Sequence, residues 1–157
     1  MNYAGDRPKG TIVPPQGGTG EFTSFSPVIT FESQQQAEEY LAYWQEKLFL
    51  NNWTIKVKLV DQEELEGCQG NNSFVHSLMS SLIRISRHHE ETSVTKECHE
   101  QTLVHELLHL KYNLMDADSK SYESSFLSAE EHRLLEQLAK SLIMVKYNLS
   151  FDWFKNF

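Results

Sequence analysis

The chain has 157 residues, a formal net charge of −8 and 39% hydrophobic residues, which is the composition of one folded domain. No basic cluster and no membrane-length apolar run is visible, so neither nucleic acid nor a membrane is an expected partner. The N-terminus has no basic start followed by an apolar segment, so no secretory signal is predicted and the cytoplasm is the expected location. Cys68 and Cys98 are too few for a disulfide framework, and we predict two free thiols.

Residues 1–30 are predicted to form a flexible leader, because they hold all four prolines and five of the seven glycines. Residues 31–157 are then the folded domain. The apolar end of the leader, SPVITF at 26–31, indicates a short strand that docks on this domain. We also consider that the leader acts as an inhibitory segment.

Five more elements follow from residue spacing before the last helix. Ser33 is the predicted N-cap of a helix, with Gln36 at capping-box spacing, and its core-facing residues recur at helical intervals: Ala37, Tyr40, Leu41, Trp44 and Leu48. The stretch WTIKVKLV, 53–60, alternates apolar and polar residues and predicts a half-buried strand. SFVHSL, 73–78, and SLIRIS, 81–86, predict two further strands, and a helix is predicted over about 95–114.

The final helix is predicted to run from Ser128, as its N-cap, to about Asn148. The order of elements indicates an α+β domain. In it a small, mostly antiparallel sheet packs on an N-terminal helix, a middle helix and a C-terminal helix.

The middle helix carries the motif His-Glu-Leu-Leu-His in an apolar setting. His105 and His109 are four residues apart, so both rings lie on one helix face and can bind one Zn²⁺. Glu106 lies near the edge of that face, where it can take a proton from a metal-activated water without being a ligand. A bound dication explains why three ionisable groups are tolerated among leucines.

The stretch LVHELLHL, 103–110, resembles the active-site helix of zincin metallopeptidases, and residues 33–148 resemble the minimal single-domain zincins of bacteria and phages. Only the five-residue motif is specific. Tyr112 and Met115 stand where metzincins have Gly and His, which leaves a gluzincin-like site completed by a Glu on a following helix. The resemblance implies a zinc-dependent endopeptidase acting on protein or peptide substrates. It also implies that SLIRIS is the sheet edge that pairs with the substrate.

The final helix offers four candidates for the third ligand: Glu130, Glu131, His132 and Glu136. Its apolar stripe is predicted to comprise Leu127, Leu134, Leu135, Leu138, Leu142 and Val145. Glu131 falls in the middle of that stripe, whereas Glu136 is predicted to project almost opposite, so we predict Glu131 as the ligand. The alternative for Glu131 is a capping box with Ser128.

A non-catalytic zinc-stabilised module that binds or regulates a protein is the competing interpretation, and only the enzyme needs Glu106. The aromatic tail FDWFKNF, 151–157, either docks on the chain's own core or contacts a partner. The remaining histidines are predicted to be structural or on the surface: His76, His88, His89 and His99. Tyr112, Tyr122 and His132 stay open as stabilisers of an oxyanion. A monomer is favoured, although the pattern does not determine the oligomeric state.

Overall fold

The computed structural model describes residues 26–65, 67–88, 98–112 and 122–154, with positions 122–128 and 151 described by their backbone alone. These residues form α1 (Gln34–Lys47), β1 (Thr54–Val60), β2 (Gly70–Val75), β3 (Ser80–Ser86), α2 (His99–Lys111) and α3 (Tyr122–Tyr147). Single 3₁₀ turns cover Gln62–Leu65, His76–Leu78 and Phe151–Phe154. The predicted α+β class is confirmed. Within the same residues, no helix has both the length and the apolar character that crossing a membrane requires.

The sheet is mixed, with strand order β1-β3-β2. β2 is antiparallel to β3, as predicted, but β1 runs parallel to β3, so the expectation of a mostly antiparallel sheet is wrong for one of two pairings. The reason is topological, because β2 follows β1 in sequence yet pairs on the far side of β3. The SLIRIS strand, β3, is therefore central, and its predicted role as the substrate-binding edge is wrong. Among the described strands, β1 and β2 form the edges.

The helices pack on one face of the sheet, with α1 against β1, α2 against β2 and β3, and α3 against α2. The predicted start of α1 is confirmed, since the Ser33 hydroxyl accepts a hydrogen bond from Gln36 N at 3.1 Å. Alternate strand residues fill the core beneath the helices, among them Val57, Leu59, Ile83 and Ile85. On the opposite face, Val60 and Ser86 are buried at one end, whereas Lys56, Lys58, Leu82 and Arg84 are exposed or half-buried.

A buried carboxylate ties the three helices together. Glu100, in the first turn of α2, is completely buried and accepts hydrogen bonds from Trp44 Nε1 at 2.9 Å and Tyr147 Oη at 2.7 Å. Lys146 Nζ lies 2.7 Å from the same carboxylate and 4.0 Å from the centre of the Tyr43 ring. Because the carboxylate is hydrogen-bonded and paired with a cation, the cost of burying its charge is compensated. The same contacts fix the end of α1, the start of α2 and the end of α3 relative to one another.

The end of the leader docks on α2, as predicted, but it does not form the predicted strand. Ile29 O accepts a hydrogen bond from His99 N at 2.9 Å, and Val28 O accepts one from Glu100 N at 3.2 Å. These carbonyls satisfy two of the N–H groups that a helix start leaves without an intrahelical partner. Phe31 is buried in the core. Residues 1–25, with any inhibitory role, lie outside the described residues.

The helix boundaries differ from the predicted ones. α2 begins at His99, with the Cys98 thiol accepting a hydrogen bond from Gln101 N, and the predicted residues 95–97 lie outside the described ones. α3 begins at Tyr122, six residues before Ser128. The prediction of Ser128 as N-cap is wrong, and this excludes the capping-box explanation for Glu131.

Candidate metal centre

Three histidine rings converge between α2 and α3. His105 Nε2 lies 3.2 Å from His109 Nε2 and 3.2 Å from His132 Nδ1. The three candidate ligand atoms all lie within 4.8 Å of one another. Zinc–nitrogen bonds of about 2.0–2.1 Å in tetrahedral geometry put neighbouring ligand atoms about 3.3 Å apart. Two of the three spacings match this value, and the third pair, His109 and His132, lies within 4.8 Å, so the cluster is compact enough for one ion.

The two helices supply these rings in different ways. His105 and His109 stand one turn apart on α2, which confirms that they share a face, and their rings meet edge to face with centroids 4.9 Å apart. His132 comes from α3, and its ring stacks on that of His105 with an interplanar angle of 18°. The third ring thus depends on how α3 packs on α2 rather than on local sequence spacing.

Glu136 anchors the outer nitrogen of one of these rings. His105 Nδ1 lies 3.2 Å from Glu136 Oε2, and the other carboxylate oxygen accepts hydrogen bonds from Gln101 Nε2 and from Lys140 Nζ, the latter at 3.3 Å. A carboxylate on the far nitrogen of a histidine fixes the tautomer in which the other nitrogen offers its lone pair. Glu136 was predicted to project almost opposite the apolar stripe of α3, but it contacts His105 and Gln101 of the motif helix instead.

The polar and apolar residues of α3 lie on two adjacent lines. The core line has Glu131, 8% exposed, followed at four-residue intervals by Leu135, Ala139 and Ile143. The second line holds His132, Glu136 and Lys140, and it faces the motif histidines. Glu131 faces the core, as predicted, but it is not part of the histidine cluster among the described residues. Its role as a ligand stays a prediction, and the geometry favours His132.

The buried face of α3 is rotated slightly about the helix axis from the apolar stripe that the sequence predicts. Leu135 is buried, whereas Leu134 is 48% and Val145 is 81% exposed. The face of α3 that contacts the site therefore lies about 100° from the core line, one residue further along the helix.

Glu106 lies between α2 and the edge strand β2. Its side chain is 8% exposed, and its Cγ atom would be 3.9 Å from a Cβ atom at Gly70. The same Cβ atom would come within 2.6 Å of Thr102 Cγ2 and 3.1 Å of Arg84 O, so β2 can approach α2 this closely only with glycine at position 70. Asn72 Nδ2 adds a hydrogen bond to Glu106 O at 3.0 Å. Strand and helix are thereby held together beside the carboxylate.

Burial shifts the protonation of the groups in the site. It lowers the pKa of His109 to about 4, and His105 and His132 act in the same direction. The pKa of His132 is also lowered, mainly by burial, against the opposing charges of Glu131 and Glu136. Both rings are consequently neutral at pH 7, the form that binds a metal.

The two carboxylates beside the rings shift in opposite directions. Burial raises the pKa of Glu106 to about 7, with His105 opposing it. Burial would also raise the pKa of Glu136, but the hydrogen bond to His105 and the charge of Lys140 outweigh it, so this pKa is lowered. Glu136 is therefore an anion at neutral pH, whereas Glu106 can gain and lose a proton there.

The other predicted positions have simpler roles. His99 is buried outside the cluster, where Nδ1 accepts a hydrogen bond from Phe31 N at 2.9 Å, and His88 is exposed. Phe154 packs against the core, which confirms docking for that part of the tail. Both cysteines are free, with Cys68 exposed and Cys98 buried. Residues outside the described ranges, or described by backbone alone, leave three predictions without a structural account: His89, Met115 and Tyr122.

No family model, curated protein or solved structure gives a significant match to this chain.

Proposed function

We propose that the protein is a zinc-dependent peptidase with His105, His109 and His132 as metal ligands and Glu106 as the proton carrier. The convergence of three imidazole rings, two of them with a nitrogen 3.2 Å from His105 Nε2, carries this proposal. Three protein ligands leave one position of a tetrahedral ion for water or substrate, which is typical of catalytic zinc sites, whereas structural sites usually have four protein ligands.

Zinc bound by these rings would polarise the scissile carbonyl and lower the pKa of the attacking water. Glu106 then accepts a proton from that water and delivers it to the leaving amine. Burial raises the pKa of this carboxyl group, and the charge of a bound dication would lower it, which favours the carboxylate form that accepts the proton.

The free edge of β2 is the proposed path of the substrate. β2 pairs with β3 on one side only among the described strands, and its Gly70 end lies against the Glu106 side chain. An extended peptide that adds to this edge would have its backbone aligned by hydrogen bonds and would pass close to Glu106. This assigns to β2 the role that the sequence alone suggested for β3.

The test compares wild-type protein with Glu106→Gln after both are loaded with zinc. We expect both to hold about one zinc per chain by elemental analysis, because Glu106 is not a ligand. Cleavage of a mixed fluorogenic peptide library should fall at least about 100-fold in the variant. Zinc without any cleavage by the wild type would support the non-catalytic module instead. A variant as active as the wild type would remove Glu106 from the mechanism.

A further inference from the structure

The exposed part of the sheet face opposite the helices holds three cations for which no carboxylate lies within 4.0 Å among the described residues. Five cations of the described residues have a carboxylate within 4.0 Å: Lys47, Arg87, Arg133, Lys140 and Lys146. Lys111 lies over the Phe49 ring, 5.7 Å from its centroid. The cations that remain in the described ranges are Lys56, Lys58 and Arg84, and no ion pair forms there for any of them.

Strand register places these three side chains together. Lys56 is opposite Leu82 and Lys58 is opposite Arg84 across the β1–β3 pairing, and Ser73 and Asn71 continue the two rows on β2. Arg84 Nη1 donates to Ser73 Oγ at 3.0 Å, so its head group lies over the sheet surface. Since successive residues of a strand alternate between faces, all of these residues point away from the helices.

Nine outward positions of the three strands are exposed or half-buried, and they carry three positive charges and no negative one. They are Thr54, Lys56 and Lys58 on β1, Ser80, Leu82 and Arg84 on β3, and Asn71, Ser73 and Val75 on β2. This contrasts with the whole chain, in which 22 acidic residues outnumber 14 basic ones. An open depression runs across the face, lined by Lys56, Lys58, Ser73, Val75 and Leu82. A basic surface isolated in an acidic protein is poised to attract an anionic partner.

We infer that this face, the basic sheet face, binds an acidic, extended segment of a partner protein. Lys56 and Lys58 are two residues apart on one strand, so their side chains emerge about 7 Å apart. Carboxylates at alternate positions of an extended peptide have the same spacing, because the peptide has the same rise per residue. Leu82 and Val75 provide apolar contact beside the charges.

Charge and composition favour a peptide over nucleic acid. Three cations neutralise few phosphates, and a long polyanion would also meet the acidic remainder of the chain within the screening length of about 8–10 Å. The nine exposed or half-buried outward positions include no aromatic side chain on which the bases of a single strand could stack. A short acidic segment meets neither difficulty.

The test uses the full chain and a fluorescein-labelled peptide of alternating Glu and Thr, about eight residues long, with the Gln/Thr peptide as the neutral control. Fluorescence anisotropy at low salt should show binding of the acidic peptide only, with the affinity falling as salt is added. Lys56→Glu/Lys58→Glu should weaken binding about tenfold or more, whereas the matched exposed substitution Lys47→Glu should leave it within about twofold. Lys56→Gln/Lys58→Gln gives a milder second variant if charge reversal impairs folding.

Several results would overturn the inference. One is that the acidic peptide fails to bind at low salt, and another is that the Gln/Thr peptide binds equally well. The others are that Lys47→Glu weakens binding as much as Lys56→Glu/Lys58→Glu does, or that a single-stranded or duplex oligonucleotide of the same charge binds more tightly than the acidic peptide. Binding to the His105→Ala protein should be unchanged, because the basic sheet face is separate from the metal centre. The outcome is therefore independent of whether the chain is a peptidase.

Discussion

His105 Nδ1 lies 3.2 Å from Glu136 Oε2, although the two residues belong to different helices and are separated by 31 positions in the chain. Through this contact α3 contributes side chains to the site as well as packing against it. One of its side chains, His132, lies 3.2 Å from the inner nitrogen of His105, and another, Glu136, lies beside the outer nitrogen of the same ring. The orientation of α3 against α2 therefore decides which of its side chains lie beside the motif histidines, and with them the third ligand of the proposed zinc site.

The first prediction separates the two candidates for the third ligand. His132→Gln should weaken zinc affinity steeply, because it removes one of three nitrogen donors, whereas Glu131→Gln should leave the affinity nearly unchanged. Competition with a chromophoric chelator measures both values. The reverse ranking would restore Glu131 as the ligand and show that the histidine cluster rearranges when metal binds.

The second prediction concerns Glu136. Glu136→Gln should lower zinc affinity by about 10–100-fold, because an amide orients and polarises the imidazole less well than a carboxylate does. Glu130→Gln is the matched control, since Glu130 pairs only with Arg133 on the surface in the described structure and should have little effect. Equal affinities for the two variants would show that the His105–Glu136 contact does not support metal binding.

The third prediction tests the close approach of β2 to α2. Gly70→Ala should destabilise the protein by about 1–3 kcal/mol in urea denaturation, because its Cβ atom would overlap Thr102 Cγ2. The proposed peptidase activity should fall with it, since the strand beside Glu106 is displaced. Thr102→Ser removes the overlapping methyl group and keeps the hydroxyl, so the double variant should recover part of the stability. A fully stable Gly70→Ala protein would mean that the strand has room to shift.

The fourth prediction concerns the buried ion pair of Lys146 and Glu100. Lys146→Met should cost about 3–5 kcal/mol of unfolding free energy, because it leaves a buried carboxylate without its cation. Adding Glu100→Gln should restore part of the loss. Lys47→Met, which removes a cation 4.0 Å from Glu46 on the surface, is the matched control and should cost less than about 1 kcal/mol. A similarly small loss for Lys146→Met would show that the burial of the pair contributes little.

Local sequence determined the features that depend on spacing within one element. The capping residue of α1, the alternation of β1 and the shared face of His105 and His109 are set by neighbours a few residues apart, and all three agree with the structure. The core-facing position of Glu131 was also predictable, because helical periodicity shows which side of α3 is mainly apolar.

Tertiary structure decided how these elements meet. Periodicity does not say on which side of β3 the strand β2 pairs, so the mixed sheet and its free β2 edge were not predicted. It also does not give the rotation of α3 against α2, which brings His132 and Glu136 to the motif histidines while Glu131 faces the core. The positive charge of Lys56, Lys58 and Arg84 is dispersed in the sequence and becomes one surface only when β1 and β3 pair in register. Such contacts join distant residues through packing, which no local pattern encodes.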